Sequence, residues 1–296
     1  MQHPLTKASA APYRADLHAH TTASDGTLRP GDLVRLAAAA GVSLLAVTDH
    51  DTLGGLEEAE NAAREAGVAL IPGVELSTAG ESEVHILGYF VRPDMQRLAA
   101  LLRDAIEDRR SRGLRFIQKF RELGLPFREE DLGLPEGTEC HRPHVAQALV
   151  RRGYVSSVKE AFDRYLAVGR PGYIPRKRME SEEVVRLLRE EGAVPVLAHP
   201  GLIRQEALRS PERLTRLKEA GLAGMEAYHI KHTPADCERF DRLARSLGLL
   251  VTGGSDFHGP QDSHGELGSM MDKWPTMDMD ARALLAYAGA HGRMER

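Results

Sequence analysis

Cysteine, tryptophan and long apolar runs are all scarce in this sequence. Its 296 residues include two cysteines, Cys140 and Cys237, far apart and outside any metal-type spacing. That excludes a disulfide framework or a zinc ribbon and favours a reducing compartment. The most apolar stretch, Leu33 to Val47, is broken by Arg35 and Gly41, so no membrane-spanning helix is expected. Met1 to Pro12 carries Lys7 but lacks the apolar core of a signal peptide, which points to a cytoplasmic protein. Aromatics make up only 5% of the chain and no duplex-reading motif occurs, which argues against a nucleic-acid-binding regulator. What remains, 42% apolar and 28% charged residues, is ordinary for a globular protein with a sizeable core.

Seven short segments read as strands: Ala15 to Ala19, Ser43 to Thr48, Val68 to Leu76, Val84 to Phe90, Val194 to Ala198, Gly224 to Tyr228 and Leu249 to Thr252. Most are separated by helical patterns, at Pro30 to Ala40, Gly55 to Ala66, Ser181 to Glu191, Pro211 to Ala220 and Pro234 to Leu247. Ser181 with Glu183 suits a helix start, and Gly41, Gly67, Gly192, Gly221 and Gly248 stand where helices should stop. Alternating strands and helices imply a parallel α/β sheet, open or closed into a barrel.

About a hundred residues separate the fourth and fifth strands, too many for one crossover. Helical patterns at Arg97 to Leu123, His144 to Arg152 and Val158 to Val168 fill the gap, with Pro171 to Pro175 as a stiff return. The expected organisation is a barrel over 13–97 and 179–290, interrupted by a helical insertion over 98–178. The insertion holds 17 Lys/Arg against 11 Asp/Glu, although the whole chain has a net charge of −4, so a basic insertion sits on an otherwise acidic chain. The arginines from Arg109 to Arg121 read as the solvated side of a helix whose apolar residues are Leu114, Phe116, Ile117 and Phe120.

Many of the thirteen histidines fall at the carboxyl ends of these strands. His18 and His20 share one face of the first strand. The second strand ends Asp49-His50-Asp51, the third ends at Glu75, the fourth carries His85, the fifth ends at His199, and the seventh ends Asp256-Phe257-His258. Ligands from six elements meet most easily at the C-terminal face of a barrel. Burying so many ionisable groups without a cation among them would be costly.

These motifs, with Asp16-Leu17-His18-Ala19-His20-Thr21, Ser24-Asp25-Gly26, Gly73-Val74-Glu75, Ala198-His199-Pro200 and Gly254-Ser255, resemble the PHP family, the polymerase and histidinol phosphatase superfamily of metal-dependent phosphoesterases. Pro171-Gly172-Tyr173 and Glu226-Ala227-Tyr228-His229 through His232-Thr233 resemble the branch acting on nucleotides. The resemblance implies a distorted seven-stranded (β/α)7 barrel with two or three divalent metal ions, Mn, Zn or Fe. His18, His20, Glu75 and Asp256 would hold the first ion; Glu75 as a bridge, His85 and His199 the second; Asp25, His50 and His258 the third. Asp16 and Asp49 would orient neighbouring ligands or simply cap strand ends.

The chemistry so implied is attack by a metal-bridging hydroxide on a phosphate ester, with His229 or His232 supplying the leaving group's proton unless they are ordinary loop histidines. Arg142 and His144 in the insertion would grip a substrate phosphate, whereas Arg176-Lys177-Arg178 reads equally well as a solvated run. The expected substrate is a 3′,5′-nucleoside bisphosphate or the 5′ end of a short single-stranded RNA, cleaved by phosphatase or 5′-3′ exoribonuclease action, with no membrane and no obligate protein partner. Histidinol-phosphate phosphatase is the enzymatic alternative. A non-catalytic metal-binding or nucleic-acid-binding regulatory module is the alternative of another class, and the retention of all nine ligands weighs against it.

Overall fold

The computed structural model describes residues 13–79, 84–133, 140, 142–175, 178–260, 266–269 and 280–290. The leader before residue 13, His141, Arg176 and Lys177 lie outside them. The chain divides into two compact units, Met1–Ala99 with Met179–Arg296, and Ala100–Arg178.

In the first unit seven strands follow one another in sequence order: β1 (Ala15–Asp16), β2 (Leu44–Val47), β3 (Ala69–Ser77), β4 (His85–Tyr89), β5 (Val194–Leu197), β6 (Gly224–His229) and β7 (Leu250–Gly254). Beyond β1, Leu17 N–H donates to Gly253 C=O at 3.1 Å and His20 N–H to Phe257 C=O at 2.9 Å, bringing the first strand back against the last. The outer helices are α1 (Pro30–Ala39), α2 (Leu56–Ala66), α6 (Ser181–Glu190), α7 (Pro211–Ala220) and α8 (Pro234–Ser246). β2 and β5 are buried at every position, as strands covered on both faces should be. The five glycines expected to stop helices all have left-handed φ. The start of α6 differs from expectation: Glu180 is the cap, its N–H donating to the Glu183 carboxylate at 3.2 Å, while Ser181 is buried and bonded to Thr78.

One strand direction is a correction. β4 runs antiparallel to both β3 and β5, because the few residues between Ser77 and His85 allow a hairpin and no crossover. The reversal has a chemical consequence. His85 begins its strand yet pairs in register with Ser77, at the end of β3, and so joins the residues at the other strands' carboxyl ends.

The strand starts carry an apolar core that includes Ala15, Leu44, Ile71, Val194 and Ala223. Helix α9 (Ala281–Ala290), absent from the sequence-based expectation, contributes Ala281, Leu284, Leu285 and Ala288 to it. Polar chemistry thus occupies one end of the strands and apolar packing the other.

The second unit contains most of α3 (Gln96–Glu122), then α4 (Arg142–Arg151) and the short α5 (Val158–Ala161), which runs into a wider turn at Phe162–Leu166. Phe116, Phe120, Val145, Leu149 and Leu166 form its core. A Cβ on Gly172 would lie 2.5 Å from Phe120 Cζ, so the return segment needs glycine to reach α3. Two expectations about α3 are corrected: Leu114 is 61% exposed, and Arg112 is buried, donating to Ile174 C=O at 3.1 Å across the Phe116 ring.

Leu284 is fully buried, so Leu284→Ala should lower unfolding free energy by about 2–5 kcal/mol. Denaturant titration measures this. Because the affected core is at the opposite end from the histidines, activity per folded molecule should be unchanged.

Candidate metal centre

The chain following β1 and the chain following β7 run side by side. Asp256 N–H donates to His18 C=O at 2.9 Å, next to the Leu17 and His20 bonds, so the His18/His20 and Asp256/His258 pairs face one another. Gly254 makes this approach possible, since a Cβ there would fall 2.3 Å from His18 Cβ. Asp16 accepts from Ser255 N–H and Gly268 N–H, both at 2.9 Å, anchoring the loop that delivers Asp256. Asp49 accepts from Thr21 N–H at 2.7 Å, Thr21 O–H at 2.8 Å and Ser24 O–H at 2.7 Å, folding the turn that presents Asp25. Both aspartates therefore position loop backbone and hydroxyls rather than imidazole rings. His199, with φ 23°, and Asp256, with φ 53°, are held in sparsely populated backbone conformations, each costing on the order of 1–3 kcal/mol.

Glu75 lies at the middle of the cluster. Its Oε2 is 3.2 Å from His18 Nε2, 3.2 Å from His20 Nε2 and 3.1 Å from His50 Nδ1. Its Oε1 is 2.8 Å from His85 Nδ1 and 3.0 Å from His199 Nε2. The two oxygens thus face different ligand sets. Among the described residues, three groups offer atoms close enough to share a cation: His18, His20, Glu75 and Asp256; His50, Glu75 and His85; and His20, Asp25, His50 and His258. Eight of the nine sequence-predicted ligands fall in these groups, and the ninth, His199, touches Glu75. The Asp25 side chain is 56% exposed whereas those of His18 and His20 are sealed, so the cluster opens to solvent on the Asp25 side.

Burial opposes charge on His18, His20, Glu75 and Asp256, yet these groups charge one another. Glu75, Glu226 and Asp256 overcome burial and raise His18 well above the usual imidazole range, and Asp256 and Glu75 lift His20 to about 10. Burial likewise opposes ionisation of Glu75 and Asp256, but the surrounding imidazoles hold both far below the carboxylate range. His50 goes the other way, to about 3, chiefly through burial. Ionised carboxylates are thus drawing protons onto buried rings, a role a divalent cation fills better. The atoms themselves fit one: His18 Nε2, His20 Nε2 and Glu75 Oε2 are buried without a hydrogen bond, although they converge within 3.2 Å. Mixed imidazole and carboxylate donors suit Mn, Zn or Fe(II).

The two proton-donor candidates are both hydrogen-bonded within the fold. His232 is 2% exposed, its Nδ1 donating to Ala227 C=O at 2.9 Å and its Nε2 accepting from Gly201 N–H at 3.0 Å. Burial depresses it to about 4. Both nitrogens bond to backbone, so in this structure His232 ties the turn after His199 to β6. His229 is fully buried, accepts from Lys231 N–H at 3.2 Å and directs Nε2 at Asp256 Oδ2 at 3.4 Å. It stands against the Asp256 carboxylate.

The sequence motif includes Glu226 but assigns it no role; the structure shows a fully buried carboxylate beside His18. The signal was its place on β6, facing inward in a run otherwise apolar up to Tyr228. In the second unit, Arg142 and His144 occupy the first turn of α4, with the Arg142 guanidinium 5.8 Å from the centroids of both Phe162 and Tyr173.

The PHP domain family matches residues 16–174, and the chain belongs to that family. It is 34% identical over 246 residues to a 5′-3′ exoribonuclease of Haemophilus influenzae, covering 83% of this chain and 90% of that one. It is 33% identical over 270 residues to a 3′,5′-nucleoside bisphosphate phosphatase of Chromobacterium violaceum, covering 88% and 92%. A phosphoribosyl 1,2-cyclic phosphate 1,2-diphosphodiesterase of Eggerthella lenta is 35% identical over 252 residues, covering 82% and 94%. A solved structure from Bifidobacterium adolescentis, named as a metal-dependent phosphoesterase, superposes with a TM-score of 0.69 at 33% identity, covering 85% and 90%.

Glu75→Gln should abolish turnover and lower bound metal, with circular dichroism close to wild type, because the barrel's packing is apolar and the carboxylate serves the centre. Full metal content in the variant, read by elemental analysis, would remove Glu75 from the centre. For His232, the unfolded chain binds a proton near pH 6.5 that the folded state refuses until about pH 4. Its contribution is therefore complete above pH 6.5 and lost as pH falls, by about 3 kcal/mol at pH 4. The stability gap between wild type and His232→Asn should shrink by that amount on acidification. A proton donor would instead show itself by loss of the basic limb of kcat/KM.

Proposed function

We propose that this PHP-family hydrolase of phosphate esters acts on nucleotides, removing phosphate from 3′,5′-nucleoside bisphosphates or nucleotides from the 5′ end of short 5′-phosphorylated RNA. The observation that carries the reading is Glu75 between two ligand sets, one on each carboxylate oxygen. His18, His20, Asp25, His50, Glu75, His85, His199, Asp256 and His258 are the residues proposed to hold two or three divalent cations. Such cations, when bound, activate water and offset the charge of a phosphate ester.

The chain's own residues do the remaining work. Glu75, Asp256 and Asp25 supply the negative charge that retains cations, and the imidazoles set their spacing. Asp16, Asp49 and His229 hold loops and carboxylates still, so that reacting groups meet a preorganised site. The sealed side, lined by His18, and the open side, marked by Asp25, leave one direction of approach. The basic second unit is proposed to choose the substrate: backbone donors at the start of α4 and the Arg142 guanidinium suit a phosphate remote from the reacting one. The flanking Phe162 and Tyr173 rings limit the guanidinium's motion.

The reading is supported by exoribonuclease and bisphosphate phosphatase relatives matched over most of their lengths. The cyclic phosphodiesterase relative makes a ribose cyclic phosphate a necessary comparison. Metal-reconstituted enzyme should release phosphate or mononucleotide from bisphosphates or 5′-phosphorylated RNA faster than it cleaves a ribose cyclic phosphate or histidinol phosphate. The reverse order would overturn the nucleotide assignment.

Arg142→Ala removes a charge-assisted contact worth about 1.5–3 kcal/mol, so kcat/KM on a bisphosphate should fall roughly ten- to a hundredfold. Hydrolysis of p-nitrophenyl phosphate, which has no second phosphate, should change little. Equal losses on both substrates would remove the selection role from Arg142.

A further inference from the structure

Glu226 touches both sides of the proposed centre. Oε1 and Oε2 lie 3.2 Å and 3.3 Å from His18 Nδ1, and Oε2 also accepts the His199 backbone N–H at 2.7 Å. His18 and His199 belong to the ligand sets on opposite oxygens of Glu75. The missing side chain at Gly254 leaves room for this carboxylate, since a Cβ there would lie 3.0 Å from Glu226 Oε1.

We infer that Glu226 is the positioning residue that fixes the tautomer of His18 and the strained backbone of His199, and thereby couples the two ligand sets. This rests on the metal-centre reading above. An ionised carboxylate only accepts hydrogen bonds, so His18 must carry its proton on Nδ1. The lone pair then resides on Nε2, the atom that converges with His20 Nε2 and Glu75 Oε2. Such outer carboxylates orient metal-binding histidines and raise their basicity. The second bond restrains His199 at φ 23°, where its ring reaches Glu75 Oε1.

Glu226→Gln separates this role from simple packing. The His199 N–H can only donate, so the glutamine oxygen must turn towards it and the NH2 must face His18 Nδ1. That arrangement places the His18 proton on Nε2 and blocks the ligating atom, with size and the His199 bond retained. Wild type, Glu226→Gln and Glu226→Asp, stripped of metal, would be titrated with Mn²⁺ against a competing chelator, with metal-free unfolding temperatures measured alongside. We expect Mn²⁺ affinity about 10–100-fold weaker in Glu226→Gln, an unfolding temperature near wild type's, and partial recovery in Glu226→Asp, which again only accepts.

Wild-type affinity in Glu226→Gln, or Glu226→Asp binding no better than Glu226→Gln, would overturn the inference. If Glu226→Gln does not fold without metal, Glu226→Asp alone decides: a measurable loss of affinity smaller than about tenfold supports the role, and unchanged affinity or a greater loss overturns it. Failure of wild type itself to bind Mn²⁺ would instead overturn the metal-centre reading, and this inference with it.

Discussion

A carboxylate sealed from water and surrounded by five imidazoles sets the terms for the rest of the molecule. Glu75 meets His18, His20, His50, His85 and His199 at 2.8–3.2 Å. Concentrating ionisable groups in this way is unfavourable unless each is hydrogen-bonded or shares a cation. The fold meets that constraint by dividing the work between its two ends. Apolar side chains and α9 fill the end where the strands begin, and polar side chains gather where the parallel strands finish.

The loops at the polar end are fixed by hydrogen bonds and close packing. Asp16 and Asp49 bind backbone and hydroxyl donors, His232 binds one carbonyl and one amide, and Gly254 permits two chain segments to touch. Strained φ values at His199 and Asp256 persist because hydrogen bonds from neighbouring segments determine them. Preorganisation of this kind moves the cost of assembling the site into folding, leaving little to reorganise during reaction.

Much of this was legible in the sequence because strand ends carry histidines and carboxylates at short, regular spacings. The pairs His18/His20 and Asp256/His258 show their common face through the period of two alone. The direction of β4 was harder to read: an apolar run looks the same in either direction, and only the short Ser77-to-His85 connection distinguishes hairpin from crossover. Helix α9 is short and alanine-rich, with its evidence in Asp280 ahead of Ala281, Leu284, Leu285 and Ala288. Glu226, His229 and His232 could be noticed but not assigned, since a role exercised through another residue depends on distances that sequence spacing does not contain. Arg112 misled for a similar reason, because the carbonyl that binds it is 62 residues away.

The family relationship and the geometry agree on phosphate-ester hydrolysis, and cation binding around Glu75 is the claim on which the mechanism turns. Crystals grown with Mn²⁺ and measured for anomalous scattering test it most directly. Anomalous density is expected beside Glu75 Oε2, between His18 and His20, with further density on the Oε1 side towards His85 and His199. Crystals that bind Mn²⁺ elsewhere, or not at all, while Glu75 keeps its five imidazole contacts would contradict that claim.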